Sequence, residues 1–241
     1  MKLFVEKDYS AMSKLAANMV KDAIEENPNT ILGLATGSTP EGMYKELIRL
    51  YKEEGLDFSN VTTFNLDEYV GIDEDHPNSY HYFMKNLLFD HINIDMKNTF
   101  VPNGKAEDPK NYCKQYDKLI EEKGGIDLQI LGIGANGHIA FNEPDEELNL
   151  GTGIVKLTES TIEANSRFFD SIDEVPKTAI SMGIGSIMKA KKIILLANGK
   201  NKAKVIKKLL KADKITTKLP ASLLLLHHDV TVIVDEEAYN D

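Results

Sequence analysis

Apolar and polar positions change period at every break in the chain. Between residues 9 and 26, Met12, Leu15, Ala16, Met19, Val20, Ala23 and Ile24 fall on one helical face. Asn27-Pro28-Asn29 interrupts that pattern. TILGLATG follows, a short apolar run ending in glycine, and reads as a strand. PEGMYKELIRLYKEE returns to helical spacing through Met43, Leu47, Leu50 and Tyr51, with Pro40 in the first turn.

The alternation runs on to the C-terminus. VTTFNL predicts a strand, SYHYFMKNLLFDHI a helix, residues 108–122 another helix, and IDLQILGIG the strand that helix leads into. IVKLT, TAISMG, KIILLA and DVTVIVD predict further strands, with the helix KNKAKVIKKLLKA between the last two. Runs such as LQILGI and KIILLA suit strands covered on both faces. Strand-helix alternation of this kind predicts an α/β fold with a mostly parallel, doubly wound sheet. No repeat, low-complexity tract or linker interrupts it, so residues 1–241 are expected to form a single domain. Ligands on such sheets gather at the carboxyl ends of the strands.

Composition narrows the classes. The chain has 241 residues, 42% of them hydrophobic, enough for a substantial core without disulfides or metals. Its one cysteine, Cys113, has no CxxC partner and lies in a polar helical stretch, so it reads as a bystander in a reducing compartment. No apolar run approaches membrane-spanning length and the N-terminus lacks a signal-peptide pattern, so a cytoplasmic protein without a membrane partner is expected. A net charge of −10 argues against nucleic-acid binding, and an anionic ligand would need local donors.

Four segments carry candidate chemistry, three of them at predicted strand ends. In LATGSTPEGMYKEL, Gly37, Ser38 and Thr39 sit before a helix start, where unpaired N–H groups and the helix dipole favour an anion. Ordinary N-capping by Ser38 or Thr39 accounts for the same residues. In TTFNLDEYVGI, Asp67 and Glu68 follow a strand; Asp67 is either a general base in a ligand crevice or the cap of a turn. In GIGANGHIAFNEP, Gly134 and Gly137 permit a tight turn, His138 is an acid/base group for neutral pH, Glu143 is placed to orient it, and Asn136 is placed to hold a hydroxyl. Zinc is not indicated, because neither HExxH nor a cysteine cluster is present. The fourth segment is basic. Arg167 in ANSRFFD is open to a surface ion pair with Asp170 or Glu163, whereas Lys202 in a helix's first turn makes sense beside a bound anion.

Together LGLATGSTPEGMY, TTFNLDEYVGI, SYHYFM, LGIGANGHIAFNEP and ANSRFF resemble the glucosamine-6-phosphate deaminases over nearly the whole chain. The resemblance implies a three-layer Rossmann-like fold and conversion of D-glucosamine 6-phosphate and water into D-fructose 6-phosphate and ammonia, with neither metal nor organic cofactor. It assigns Asp67 as the enolisation base, His138 as the ring-opening acid/base and Glu143 as its supporting carboxylate. Asn136 occupies a position that is aspartate in some relatives and asparagine in many short bacterial ones. Asparagine orients without supplying charge, so a pH profile unlike that of the aspartate enzymes is expected. Ser38, Thr39, Arg167 and Lys202 match the phosphate contacts, and Gly37 shapes their loop. Longer relatives carry a C-terminal extension and an allosteric site for N-acetylglucosamine 6-phosphate at a subunit interface. This chain stops soon after its last predicted strand and differs around GTGIVKLT, so a monomer or small homo-oligomer with little such activation is expected. The main alternatives are 6-phosphogluconolactonase activity on a similar scaffold and a non-catalytic sugar-phosphate sensor.

Overall fold

The computed structural model describes residues 1–166 and 169–240. Its strands are β1 (Lys2–Glu6), β2 (Ile31–Leu34), β3 (Thr62–Asn65), β4 (Asp67–Tyr69), β5 (Thr99–Phe100), β6 (Leu128–Gly132), β7 (Gly153–Lys156), β8 (Thr178–Ser181), β9 (Lys192–Ala197) and β10 (Val230–Asp235). Its α-helices are α1 (Tyr9–Glu26), α2 (Glu41–Glu54), α3 (Tyr80–Leu87), α4 (Pro109–Glu122), α5 (Glu159–Asn165), α6 (Ile184–Met188), α7 (Lys200–Leu210) and α8 (Glu236–Tyr239).

Among the described residues, seven strands form a parallel sheet in the order β1-β10-β9-β6-β2-β3-β5. Successive side chains of each strand point to opposite faces, so each central strand feeds two cores. On β9, Ile193 and Leu195 pack into one core while Ile194 and Leu196 pack into the other. The second core takes the α1 stripe: Met12, Ala16, Val20 and Ile24 are buried there, with Leu15, Met19 and Ala23 packed around them. Tyr116 and Ile120 of α4 and Val205, Ile206 and Leu209 of α7 fill the first. The result is the helix–sheet–helix layering of an α/β doubly wound fold. The chain leaves β2 toward β3 on one side, and β6 enters on the other. The carboxyl ends of β2 and β6 therefore flank a crevice at the switch in strand order.

Two of the expected strands do not join that sheet. IVKLT and TAISMG supply β7 and β8, which pair antiparallel with each other and with β4 in a separate three-stranded sheet. Asp67 and Glu68 thus lie in a strand rather than in a turn. A single residue, Leu66, separates β3 from β4; its N–H bonds Leu34 O in the large sheet, and its carbonyl accepts Met182 N–H beyond β8. The small sheet is consequently fastened to the carboxyl end of the large one. Strand β1 gave no periodic signal because it lies at the sheet edge with Leu3, Phe4 and Val5 all exposed.

Candidate active site

One cavity of about 710 Å³ opens over the carboxyl ends of the parallel strands. Its lining brings together Gly37, Ser38 and Thr39 after β2, Asp67 of β4, Asn136 and His138 after β6, and Lys202 of α7. Residues from four parts of the sequence thus line one cavity. Glu143 stands behind His138, and Arg167 lies outside the described residues.

The loop after β6 is organised around the imidazole. Gly134 N–H bonds His138 O at 2.9 Å, and a Cβ on Gly134 would fall 2.3 Å from the His138 ring, so only glycine leaves room for it. His138 Nδ1 lies 3.1 Å from Glu143 Oε2, the oxygen that also accepts Asn136 Nδ2–H at 2.7 Å. Asn136 Oδ1 accepts the His138 backbone N–H, so the asparagine side chain bridges carboxylate and loop. Thr161 of α5 donates to the other carboxylate oxygen, Glu143 Oε1. Burial pushes the Glu143 carboxyl upward, but the hydrogen bond and positive charge offered by His138, with Thr161 and Asn136 adding to them, outweigh it and hold the group at about 2. Glu143 is therefore an acceptor-only carboxylate, which directs a proton onto Nδ1 and leaves Nε2 for proton transfer.

Strand alternation separates the two adjacent carboxylates of NLDEYV. Asp67 faces the cavity; Glu68, 1% exposed, turns to the start of α3 and accepts Tyr80 N–H at 2.8 Å and His81 N–H at 3.1 Å. Burial and then repulsion by Glu68 push the Asp67 carboxyl up to about 8. The small sheet sets the relation of Asp67 to His138. Ser181, opposite Asp67 in the β4–β8 pairing, accepts Phe141 N–H at 3.1 Å, and Asn142 Nδ2 donates to Met182 O at 2.9 Å. The strand that pairs with the aspartate thus also anchors the histidine loop. Ala140 in that loop has φ 50, a left-handed conformation that costs a non-glycine residue energy and is held here by these anchors.

The loop after β2 is not a helix cap. Position N-cap of α2 is Pro40, without a side-chain capping bond, so neither Ser38 nor Thr39 does the job that ordinary capping would give it. Thr39 Oγ1 instead donates to Asn198 Oδ1 at 2.8 Å, joining this loop to the end of β9, and Gly37 turns the chain at φ 90. The Tyr9 hydroxyl donates to Ser38 O at 2.9 Å and accepts Gly42 N–H at 2.7 Å. Across the cavity Lys202 Nζ donates to Ile133 O at 2.7 Å, which brings its ammonium to the end of β6. The Ser38 hydroxyl, just ahead of α2, and the Lys202 ammonium line the same cavity, donors of the kind an anion would need.

Thr161, Asn142, Asn198 and Tyr9 did not stand out in the sequence. Their types are common and their partners lie 18 to 159 residues away. Among the described residues, no group of three or more His, Cys, Asp or Glu is arranged to hold a metal, and no helix is long and apolar enough to cross a membrane. Cys113 is buried on α4, away from the cavity, and burial raises its thiol to about 11.

Comparison with known proteins gives the family. Residues 6–233 match the family model of glucosamine-6-phosphate isomerases and 6-phosphogluconolactonases. The chain belongs to that family. A glucosamine-6-phosphate deaminase of Thermoanaerobacter sp. strain X514 is 62% identical over 238 residues, covering 99% of this chain and 94% of the relative. One from Clostridium perfringens strain SM101 is 60% identical, covering 99% and 98%. A solved structure described as a monomeric glucosamine-6-phosphate deaminase superposes with a TM-score of 0.97 at 49% identity, covering 99% of this chain and 98% of that one. The family thus includes isomerases and lactonases, and these three near neighbours all carry the deaminase name.

Proposed function

We propose that this member of the family converts D-glucosamine 6-phosphate and water into D-fructose 6-phosphate and ammonia, as a cytoplasmic enzyme of amino-sugar catabolism. The observation that carries the reading is the shared cavity, in which a raised carboxyl and a carboxylate-held imidazole, from different strand ends, line one space with room for a hexose phosphate. The phosphate is held by the loop of Gly37, Ser38 and Thr39, by Lys202 and by Arg167. That contact, remote from the reacting carbons, supplies binding energy that fixes the sugar. His138 takes the proton of the anomeric hydroxyl and delivers one to the ring oxygen, opening the hemiacetal, while Glu143 steadies the imidazole in its charged state. Asp67 then removes the C2 proton and returns it at C1, while a proton passes from the C2 ammonium group to O1. The resulting C2 iminium is hydrolysed by water to the ketone, releasing ammonia. Asp67 must be ionised to act as base. The substrate's own ammonium group, entering the cavity, favours that ionised form. No step calls for a metal or organic cofactor.

The test is direct. Purified protein given glucosamine 6-phosphate is expected to release ammonia and fructose 6-phosphate in equal amounts, and to leave 6-phosphogluconolactone hydrolysis at background. Rapid lactone hydrolysis without ammonia would overturn the reading in favour of the lactonase branch, and binding of the sugar phosphate without either reaction would favour a sensor.

A further inference from the structure

We infer that Thr161 is a positioning residue for the His138–Glu143 pair: from α5 its hydroxyl holds the Glu143 carboxylate in the orientation that keeps the imidazole aimed into the cavity. The inference rests on the ring-opening role proposed above for His138. Glu143 is 9% exposed, and its two oxygens are used differently. Oε2 serves Asn136 and His138, whereas Oε1 takes the Thr161 hydroxyl. Thr161 is itself 5% exposed and lines the cavity. Its single proton is committed. Thr158, the N-cap of α5, donates its hydroxyl to Thr161 Oγ1 at 3.1 Å and accepts the Thr161 backbone N–H, so the Thr161 proton points to the carboxylate. A carboxylate bonded on one oxygen alone is free to rotate about its Cγ–Cδ bond. Bonds on both oxygens remove that freedom, and with it the freedom of the ring that leans on Oε2.

The experiment uses full-length Thr161→Val and Thr161→Ser. Valine keeps the shape and removes the donor; serine keeps the donor and removes a methyl. Thr161→Val is expected to lower kcat for the cyclic substrate on the order of tenfold to a hundredfold, the effect of losing one hydrogen bond to a buried charged group. KM and inhibition by inorganic phosphate should stay within about twofold, because the anion site is untouched. Thr161→Ser should restore most of the rate. Imidazole ¹⁵N NMR should show one His138 tautomer, protonated at Nδ1, in the wild type and a mixture in Thr161→Val. An unchanged kcat in the valine variant overturns the inference. A serine variant as slow as the valine variant also overturns it, since packing rather than the hydroxyl would then matter. The NMR comparison needs no turnover. If the wild-type protein released no ammonia, the functional reading would fail, and the tautomer result alone would decide whether Thr161 holds the pair.

Discussion

Asp67 and Glu68 are neighbours in sequence with opposite fates, and the difference is one of side-chain direction. A strand sends Glu68 to the N–H groups opening α3, whereas Asp67 meets the cavity wall with no hydrogen bond among the causes acting on its titration. A carboxyl raised to about 8 by burial makes a definite prediction. The free enzyme must lose that proton before it can act as base, so kcat/KM should fall on the acid side of pH 8, while the acid limb of kcat, read with the ammonium substrate bound, should lie lower. The same shift links to stability. The folded state keeps the proton between the ordinary carboxylate range and about 8 while the unfolded chain loses it, so stability present at low pH is lost as pH rises across that window. Asp67→Asn should therefore cut turnover by about 10²–10⁴-fold and yet raise the melting temperature at pH 9. A variant that melts earlier than wild type at pH 9 would contradict the burial account, and retained turnover would remove Asp67 from the chemistry.

At the scale of elements, the start of α2 is the informative case. Its sequence suits both a capped helix and an anion cradle; in the structure Thr39 is drawn away to Asn198, and neither Ser38 nor Thr39 caps the helix. The loop's shape is set from α1, where the Tyr9 hydroxyl ties Ser38 O to Gly42 N–H. Tyr9→Phe should loosen this loop without touching the acid/base groups. Steady-state kinetics are expected to show KM for the sugar phosphate rising about twofold to tenfold, with a parallel loss of phosphate inhibition and little change in kcat. A fall in kcat at constant KM would show that the tyrosine acts elsewhere. The antiparallel pair β7 and β8 makes the complementary point. Their apolar runs were legible as strands, but the sheet they join depends on β4, a three-residue strand too short to announce itself.

For the molecule as a whole, the cavity draws its described lining from segments between the end of β2 and α7. The structural neighbour with a TM-score of 0.97 is described as monomeric. For this chain we propose a monomer or small homo-oligomer, with hyperbolic kinetics and no more than slight activation by N-acetylglucosamine 6-phosphate. Light scattering after size exclusion and a rate measurement with and without that sugar checks this. A hexamer, or sigmoidal kinetics relieved by the added sugar, would refute it.

Local chemistry was open to reading from the chain alone. The period of apolar residues specified α1, α2, α4 and the buried strands, because a helix or a two-sided strand must bury a stripe whatever surrounds it. The glycines, histidine and glutamate of GIGANGHIAFNEP share one loop, so their association needed no tertiary knowledge, and the structure places them in contact. Tertiary structure decided that Glu68 turns to the start of α3, that β4, β7 and β8 make a sheet of their own, and that Thr161, Asn142 and Tyr9 support the site. Those outcomes depend on partners far apart in sequence, and a hydroxyl or amide takes whichever partner the fold brings near. Side-chain type limits what a group can bond to, and only the packed chain selects among the possibilities.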